Sequence, residues 1–417
     1  MRILDLTPAL MRKLLAARLV HDAEAAGVAR KIVTDVRQRG DSALFAWAQK
    51  LDDATLNART VWISQKEIRA AARQVSPQFL RAIRQAARNI RRVPKQQLPR
   101  SWSLEVEPGV KIRQLVRPIE SIGCYIPGGR SSLVSTLLMT VVPAQVAGVP
   151  RITAVCAKPN AELLAAANFL GIREMARVGG AQAVAALAYG TKSIARVEKI
   201  FGPGNKYVTA AKQLVSADCA IDLPAGPSEA VVLADRGNPA WIAADLVAQA
   251  EHAPDALSFL VTTSRQLANE VAAQVAAQLR ALARTNPARR SIQSAGAILI
   301  APSQAAACQF INHFAPEHLS LPSETSSLLH RISSSGTIFL GPWGAQPLGD
   351  YISGSNHILP TAGWARRRGG LSAADFVKCI SVQEISRTGF ARLAAGAEAL
   401  ATAEALPAHL QAVRIRR

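Results

Sequence analysis

Apolar residues fall into two alternating patterns along most of the chain. Short runs rich in Val, Ile and Leu read as strands buried on both faces: RITAVCA, EMARVGG, VEKIFGPG, EAVVLAD, LSFLVTT, GAILIAP and GTIFLGP. Between them lie segments with apolar positions at helical spacing: AELLAAANFLG, AQAVAALAYG, NKYVTAAKQLVS, WIAADLVAQAEH, a long helix from Gln266 and another over residues 304–314. Alternation of strand and helix predicts parallel sheets joined by crossover helices. There are more strands than one small sheet holds, so the pattern predicts two α/β units.

The flanks read differently. Residues 1–100 read as helices, and Ser76 followed by Pro77 and an amphipathic run marks one helix start. Around residues 104–118 the spacing changes to LEVEPGVKIRQLVRP, strand-like on both sides of a turn at 107–109. From about Leu371 the chain reads as a small helical appendage. The opening MRILDLTPALMRKLLAARLVHDAE reads as a surface helix, because Arg2, Arg12, Lys13 and Arg18 interrupt its apolar stretch and no small-residue cleavage site follows. No window approaches about 18 uninterrupted apolar residues, so no membrane span is expected and the chain is expected to be cytoplasmic.

At 417 residues, two or more domains are expected. Aromatics are 5% of the chain against 49% hydrophobic residues, which leaves Ala, Leu, Val and Ile to fill the core. Cys124, Cys156, Cys219, Cys308 and Cys379 are odd in number, widely spaced and without a CxxC, so free thiols are expected. A metal would therefore need His, carboxylate or amide ligands. The formal charge is +20, with basic clusters over 81–100, 366–368 and 414–417. Nucleic-acid binding is one reading of that charge. The basic stretches lack interleaved aromatics and match no nucleic-acid motif, so a solvated basic surface is expected and no nucleic-acid partner.

Four settings could carry chemistry. Gln249 and His252 lie three apart on one helix face, so an amide oxygen and an imidazole could reach one metal; alternatively His252 only caps the helix end. Glu317 and His318, just past a helix, suit a proton-transfer pair or an exposed polar loop. Asp350 and His357 occur in the glycine-rich GDYISGSNHILP after a strand, where the carboxyl end of a parallel sheet gathers ligands. Glu404 and His409, in AEALPAHLQAV, read from the residues alone as a surface helix end. The loops YIPGGRSS at 125–132 and FGPGNK at 201–206 follow strands and lead into helices, a setting that attracts phosphate. Neither is a GxGxxG fingerprint. A third loop, LPAGPSE at 223–229, reads as a binding turn or a rigid crossover. GxSxG, Walker and HExxH motifs do not occur, which leaves serine-hydrolase, P-loop and zincin readings without support.

Ordered blocks over nearly the whole length, among them CYIPGGRSSLVSTLLMTVVPAQVAGV, FGPGNKYVTAAK, IDLPAGPSEAVVLAD, DLVAQAEHAPDA, FAPEHLSL, GDYISGSNHILPT and AEALPAHLQAV, resemble the histidinol dehydrogenase family. That resemblance implies an α/β fold of two incomplete Rossmann-like domains with parallel sheets and small N- and C-terminal helical extensions, in an interlocked homodimer. The implied division is an N-terminal helical arm (1–15), a first α/β domain (16–124 with 228–371), a second, NAD-binding one (125–227) and a helical tail crossing to the partner subunit (372–417).

The resemblance also implies one zinc per site, held by Gln249, His252, Asp350 and, from the partner's tail, His409. It implies Glu317 and His318 as the acid–base pair, and Tyr125, Gln182 and Asn205 as NAD contacts. Implied substrate contacts are Ser228, Gln249, His252, His318, Asp350, His357, Glu404 and His409. The implied reaction is oxidation of L-histidinol to L-histidine through histidinal, the last steps of histidine biosynthesis. A related zinc- and NAD-dependent enzyme acting on another small alcohol, such as a sulfonated diol, is the alternative; His357, Glu404 and His409 suit the cationic substrate. ARRRGGLS stands where relatives usually carry ARFSSGLS, and touches none of these positions.

Overall fold

The computed structural model describes residues 1–18, 22–52, 55–128, 132–223 and 226–417. The tip of the first glycine-rich loop (129–131), residues 224–225 of the third loop, and His21 lie outside the described residues. Apolar runs pair into two parallel sheets. One has six strands in the order Arg2–Asp5, Ala297–Ile300, Leu257–Thr262, Glu229–Leu233, His318–Leu321 and Thr337–Leu340. The other has five, in the order Glu174–Ala176, Arg151–Val155, Ser121–Tyr125, Lys199–Phe201 and Ala220–Ile221.

Both sheets are covered on both faces, which is why their strands read as unbroken apolar runs. In Glu229–Leu233, Val231 and Leu233 join Phe259, Phe310 and Phe314 on one side, while Val232 joins Ile242, Leu246 and Leu260 on the other. Small residues do the close work. Helix Gly180–Tyr189 buries Ala181, Ala183, Ala185, Ala186 and Ala188 and packs against helices Ala23–Arg39 and Lys206–Val215. Alanine there lets backbones approach where aromatics would not fit. Under the six-stranded sheet three phenylalanines cluster, and Phe310 stacks on Phe314 at 5.4 Å between ring centroids. Phe310→Ala is expected to cost about 3–5 kcal/mol by leaving a cavity. Urea unfolding should show a lower midpoint at unchanged slope; a loss under about 1 kcal/mol would contradict this packing account.

Three parts of the expected organisation are corrected. The N-terminal arm is not helical throughout: Arg2–Asp5 is an edge strand beside Ala297–Ile300, and only Pro8–Ala17, capped by Thr7, is helix. A four-residue edge strand is too short for its period to show. The C-terminal tail likewise contains a strand, Val377–Ile385, antiparallel to Val110–Pro118 in a separate three-stranded sheet completed by Trp102–Glu107. That strand is exposed along most of its length, so no burial pattern marks it; the partner strand defines it. Helices Arg387–Ala403 and Pro407–Arg414 follow. At the hairpin turn Gly109 takes φ +83°, and a Cβ there would strike Ser386 and Gly389, so the turn sits against the start of the tail helix.

The third correction concerns residues 16–124. Helices Ala23–Arg39 and Asp41–Asp52 pack on Gly180–Tyr189, Gln65–Ala71 on Ala161–Leu170, and Pro77–Gln97 on Val134–Ala147. They clothe the five-stranded sheet, not the six-stranded one. An amphipathic pattern shows that a helix has a buried face; it carries no label for the surface that buries it. Among the described residues no helix is long and apolar enough to cross a membrane.

Candidate active site

The chain leaves helix Gln304–Phe314 through Ala315, whose φ is 48°, and Glu317 then precedes His318, the first residue of a strand. Both side chains are buried, at 7% and 4% exposure, which removes the exposed-loop alternative. One residue's main chain serves both: the Glu229 N–H donates to Glu317 Oε2 at 2.9 Å, and the Glu229 carbonyl lies 3.3 Å from His318 Nδ1. A carbonyl only accepts, so in the neutral ring Nδ1 carries the proton and Nε2 is the free base. Among the described residues His318 Nε2 has no hydrogen-bond partner, and it faces Asp350 Oδ1 at 3.5 Å.

The electrostatics follow from burial and neighbours. Burial pushes the Glu317 carboxyl up to about 7, against the pull of His318. Burial also acts to lower His318, but the Glu317 and Asp350 carboxylates and the Glu229 carbonyl hold it above its ordinary value. For Asp350 burial acts upward, and His318, His357 and His252 outweigh it, so the carboxyl stays below the usual range.

Two helices bring the expected metal ligands of this chain together. Helix Pro239–Ala250 carries Gln249, fully buried, with His252 exposed just beyond its end. Gln249 Oε1 accepts from Gln346 Nε2, and Gln346 starts the helix Gln346–Tyr351 that carries Asp350 one turn later. His252 is near enough for its charge to act on Asp350. An amide, an imidazole and a carboxylate form a donor set suited to zinc, with Gln249 Oε1 as the amide's donor atom; its Nε2, a hydrogen-bond donor, is buried without a partner among the described residues. These residues fit a metal, but among the described residues no three His, Cys, Asp or Glu side chains gather tightly enough to hold one. The set depends on an amide, and His409 is not in it. His409 is exposed on helix Pro407–Arg414, which packs on Arg387–Ala403, and Glu404 is exposed between the two. Within one chain, neither hydrogen-bonds nor ion-pairs with the site among the described residues.

The carboxyl-end argument for Asp350 and His357 is overturned. Glu229 and His318 are the first residues of adjacent strands, so the Glu317–His318 pair sits at the amino edge of the six-stranded sheet. Asp350 reaches it because helix Gln346–Tyr351 runs back after strand Thr337–Leu340. His357 follows, its Nδ1 2.9 Å from the Asp350 carbonyl and its Nε2 3.4 Å from Thr136 Oγ1, and burial pushes its pKa down.

In the five-stranded sheet a cavity does lie at the carboxyl end. Strand order reverses between Ser121–Tyr125 and Lys199–Phe201, and ligands bind outside such a switch point. Tyr125, Gln182 and Asn205 line one cavity there, of about 500 Å³. Tyr125 Oη accepts from the Gly180 N–H at 3.1 Å, Gln182 Nε2 donates to Asp52 at 3.0 Å, and Asn205 Oδ1 caps the following helix. Gln182 Oε1 is buried without a partner among the described residues and fits a ligand donor. Gly202, at φ +115°, cannot carry a Cβ because the Tyr125 carbonyl occupies that space. Beneath the loop a buried Lys212–Asp222 pair holds Gly202 from both sides, at 2.8 Å to its carbonyl and 2.7 Å from its N–H. A small cavity of about 100 Å³, lined by Gly202, Ser228, Glu317 and His357 among others, joins the two units. Gln346, Asp52, Thr136 and the Glu229 main chain were not legible as site residues, because each acts across a long sequence separation and no local motif marks it.

Two parallel α/β units, one with a cavity at its switch point and the other with a buried glutamate–histidine pair beside a smaller cavity between the units, fit an α/β enzyme. The chain belongs to the histidinol dehydrogenase family, whose sequence model matches residues 16–417, and it is a dehydrogenase. The histidinol dehydrogenase of Methanosarcina mazei is 42% identical over 424 residues, covering 100% of this chain and 97% of that protein. That of Photobacterium profundum is 44% identical over 405 residues, covering 95% and 90%. The crystal structure of histidinol dehydrogenase from Elizabethkingia anophelis superposes with a TM-score of 0.93 at 38% identity, covering 100% of this chain and 97% of that one.

Proposed function

We propose that this chain is a cytoplasmic, zinc-dependent, NAD-linked enzyme that oxidises L-histidinol to L-histidine through histidinal, the last steps of histidine biosynthesis, as a homodimer with shared sites. The observation that carries this reading is the buried Glu317–His318 pair, its proton positions set by one main-chain residue. Gln249, His252 and Asp350, with His409 of the partner subunit, would hold one zinc, which supplies an anchor for the imidazole and amine of the substrate. Tyr125, Gln182 and Asn205 would hold the NAD that accepts hydride. Ser228 and His357 line the cleft on the substrate side, and Glu404 of the partner subunit would complete it.

His318 Nε2, the unprotonated nitrogen, takes the hydroxyl proton in the first oxidation. Glu317, raised to about 7, is poised to take a proton from water as that water adds to the aldehyde. Once His318 has released that first proton, it removes the proton of the hydrate in the second oxidation, whose hydride a second NAD would accept. Burial of both groups excludes competing solvent.

Exposed apolar side chains support the dimer. Trp241, Trp343, Leu348 and Tyr351 are uncovered beside the His252–Asp350 region, and Leu400, Leu406 and Ile415 are uncovered on the tail helices. Such patches mark interaction surfaces, and the tail of a second copy would bury both.

The direct test is NADH formation from L-histidinol, with and without a chelator. Turnover that falls by more than about 90% on chelation and returns with zinc is expected. Turnover of a sulfonated diol but not of histidinol would overturn the substrate assignment.

Glu317→Gln should separate the two oxidations, lowering aldehyde turnover about 100-fold and alcohol turnover under tenfold. In the unsubstituted enzyme, aldehyde turnover should rise with pH through about 7, because the base must lose a proton that burial makes it retain. The variant should lack that rise. Equal losses in both steps would contradict the division of labour.

A further inference from the structure

We infer that Glu229 and Arg18 are positioning residues for the acid–base pair, with Arg18 acting as a clamp from the N-terminal segment; this rests on the catalytic roles proposed for Glu317 and His318. Glu229 is 1% exposed, and its main chain already holds Glu317 through the N–H and His318 through the carbonyl. Its side chain is what fixes that main chain in place. Arg18 Nε donates to Glu229 Oε1 at 2.8 Å while Nη2 pairs with Oε2, a two-point fork that sets orientation as well as distance. Glu229 Oε1 also accepts from the Ala362 N–H at 3.1 Å.

Arg18 reaches the second catalytic segment too. Its Nη1 donates to the Phe314 carbonyl, and its guanidinium lies 3.7 Å above the centre of the Phe314 ring. Phe314 is three residues before Glu317. One side chain therefore ties the strand beginning at Glu229 to the turn that delivers Glu317 and His318. Both neighbouring segments are strained: Ala315, at φ 48°, and Ala362, at φ 52°, are two of the three described non-glycine residues with left-handed backbone. Such conformations persist only where surrounding contacts over-determine them. A buried ion pair adds little stability over apolar packing of the same volume, so a purely structural role does not account for charge at this place.

The test uses Arg18→Met, Arg18→Lys and Glu229→Gln in the full-length, zinc-loaded enzyme. Each is assayed for kcat, for KM with L-histidinol and with NAD, and for thermal midpoint. The ring nitrogens of His318 are followed by 15N NMR, the signal being assigned by its absence in His318→Asn. Arg18→Met and Glu229→Gln should lower kcat about 10- to 100-fold with KM changed less than about threefold, as expected when a reacting group is misplaced by an ångström or less. The His318 signal should move from the Nδ1-protonated pattern toward a mixture of tautomers, and Arg18→Lys should recover part of the rate.

Folded Arg18→Met and Glu229→Gln enzymes with unchanged kcat and an unchanged His318 signal would overturn the inference, as would a rate loss that tracks the unfolded fraction. Arg18→Lys and Glu229→Gln carry the test if methionine at 18 prevents folding. Full activity in His318→Asn and Glu317→Gln would instead remove the underlying catalytic reading. Loss in those two with none in the clamp variants would remove the clamp alone.

Discussion

His318→Asn is expected to lower kcat for histidinol oxidation about 1000-fold while the protein folds and binds NAD as before. Loss of a positioned general base costs roughly 100- to 10,000-fold, and two features place this one toward the upper part of the range. The ring is 4% exposed, so solvent cannot readily substitute as proton acceptor. Its Nε2 meets only the Asp350 carboxylate among the described residues, at 3.5 Å, so in the neutral ring the lone pair is not tied to a donor of the fold. Asparagine suits the test because its amide can still donate to the Glu229 carbonyl, keeping the local structure while removing the base. Steady-state NADH formation gives kcat, and the thermal midpoint checks folding. A loss of less than tenfold would show that the proton leaves by another route.

Mixing two inactive variants should restore activity. If His409 of the partner subunit completes each metal site, His409→Ala and His252→Ala homodimers should each fall below about 1% of normal turnover, since loss of a ligand empties or distorts a zinc site. A heterodimer of the two contains one intact site, with His252 from one chain and His409 from the other. A random mixture should therefore show about a quarter of normal activity, half the dimers having one of their two sites. Refolding the variants together, against the same variants refolded apart, provides the measurement. No recovery in a mixture shown by mass to contain heterodimers would mean that the tail does not cross. The geometry favours recovery: His409 and Glu404 are exposed on helices that pack on each other, away from the chain's own Gln249, while apolar side chains stand uncovered on both the tail and the site's rim.

Much of the fold could be read along the chain, and much of the site could not. The runs EAVVLAD, LSFLVTT and GAILIAP are strands because β-branched and large apolar residues cluster there, and the helices between them start at residues that cap them: Asn238, Ser264 and Ser303 each accept a hydrogen bond from the first turn. The spacing of Gln249 and His252 placed both near the end of one helix, but the structure buries Gln249 inside that helix and leaves His252 exposed just beyond it. Runs, caps and spacings are properties of neighbours within a few residues, and the chain carries them wherever it folds.

Tertiary structure alone decided the rest. Arg2–Asp5 becomes a strand only beside Ala297–Ile300, and Val377–Ile385 only beside Val110–Pro118. The acid–base pair lies at the amino edge of its sheet because a later helix folds back to it, and Arg18 meets Glu229 across 211 positions of sequence. Periodicity and capping are short-range energies written in consecutive side chains. Which buried faces meet, and therefore which distant polar groups are left facing one another, depends on how whole elements pack, and no local pattern encodes that choice.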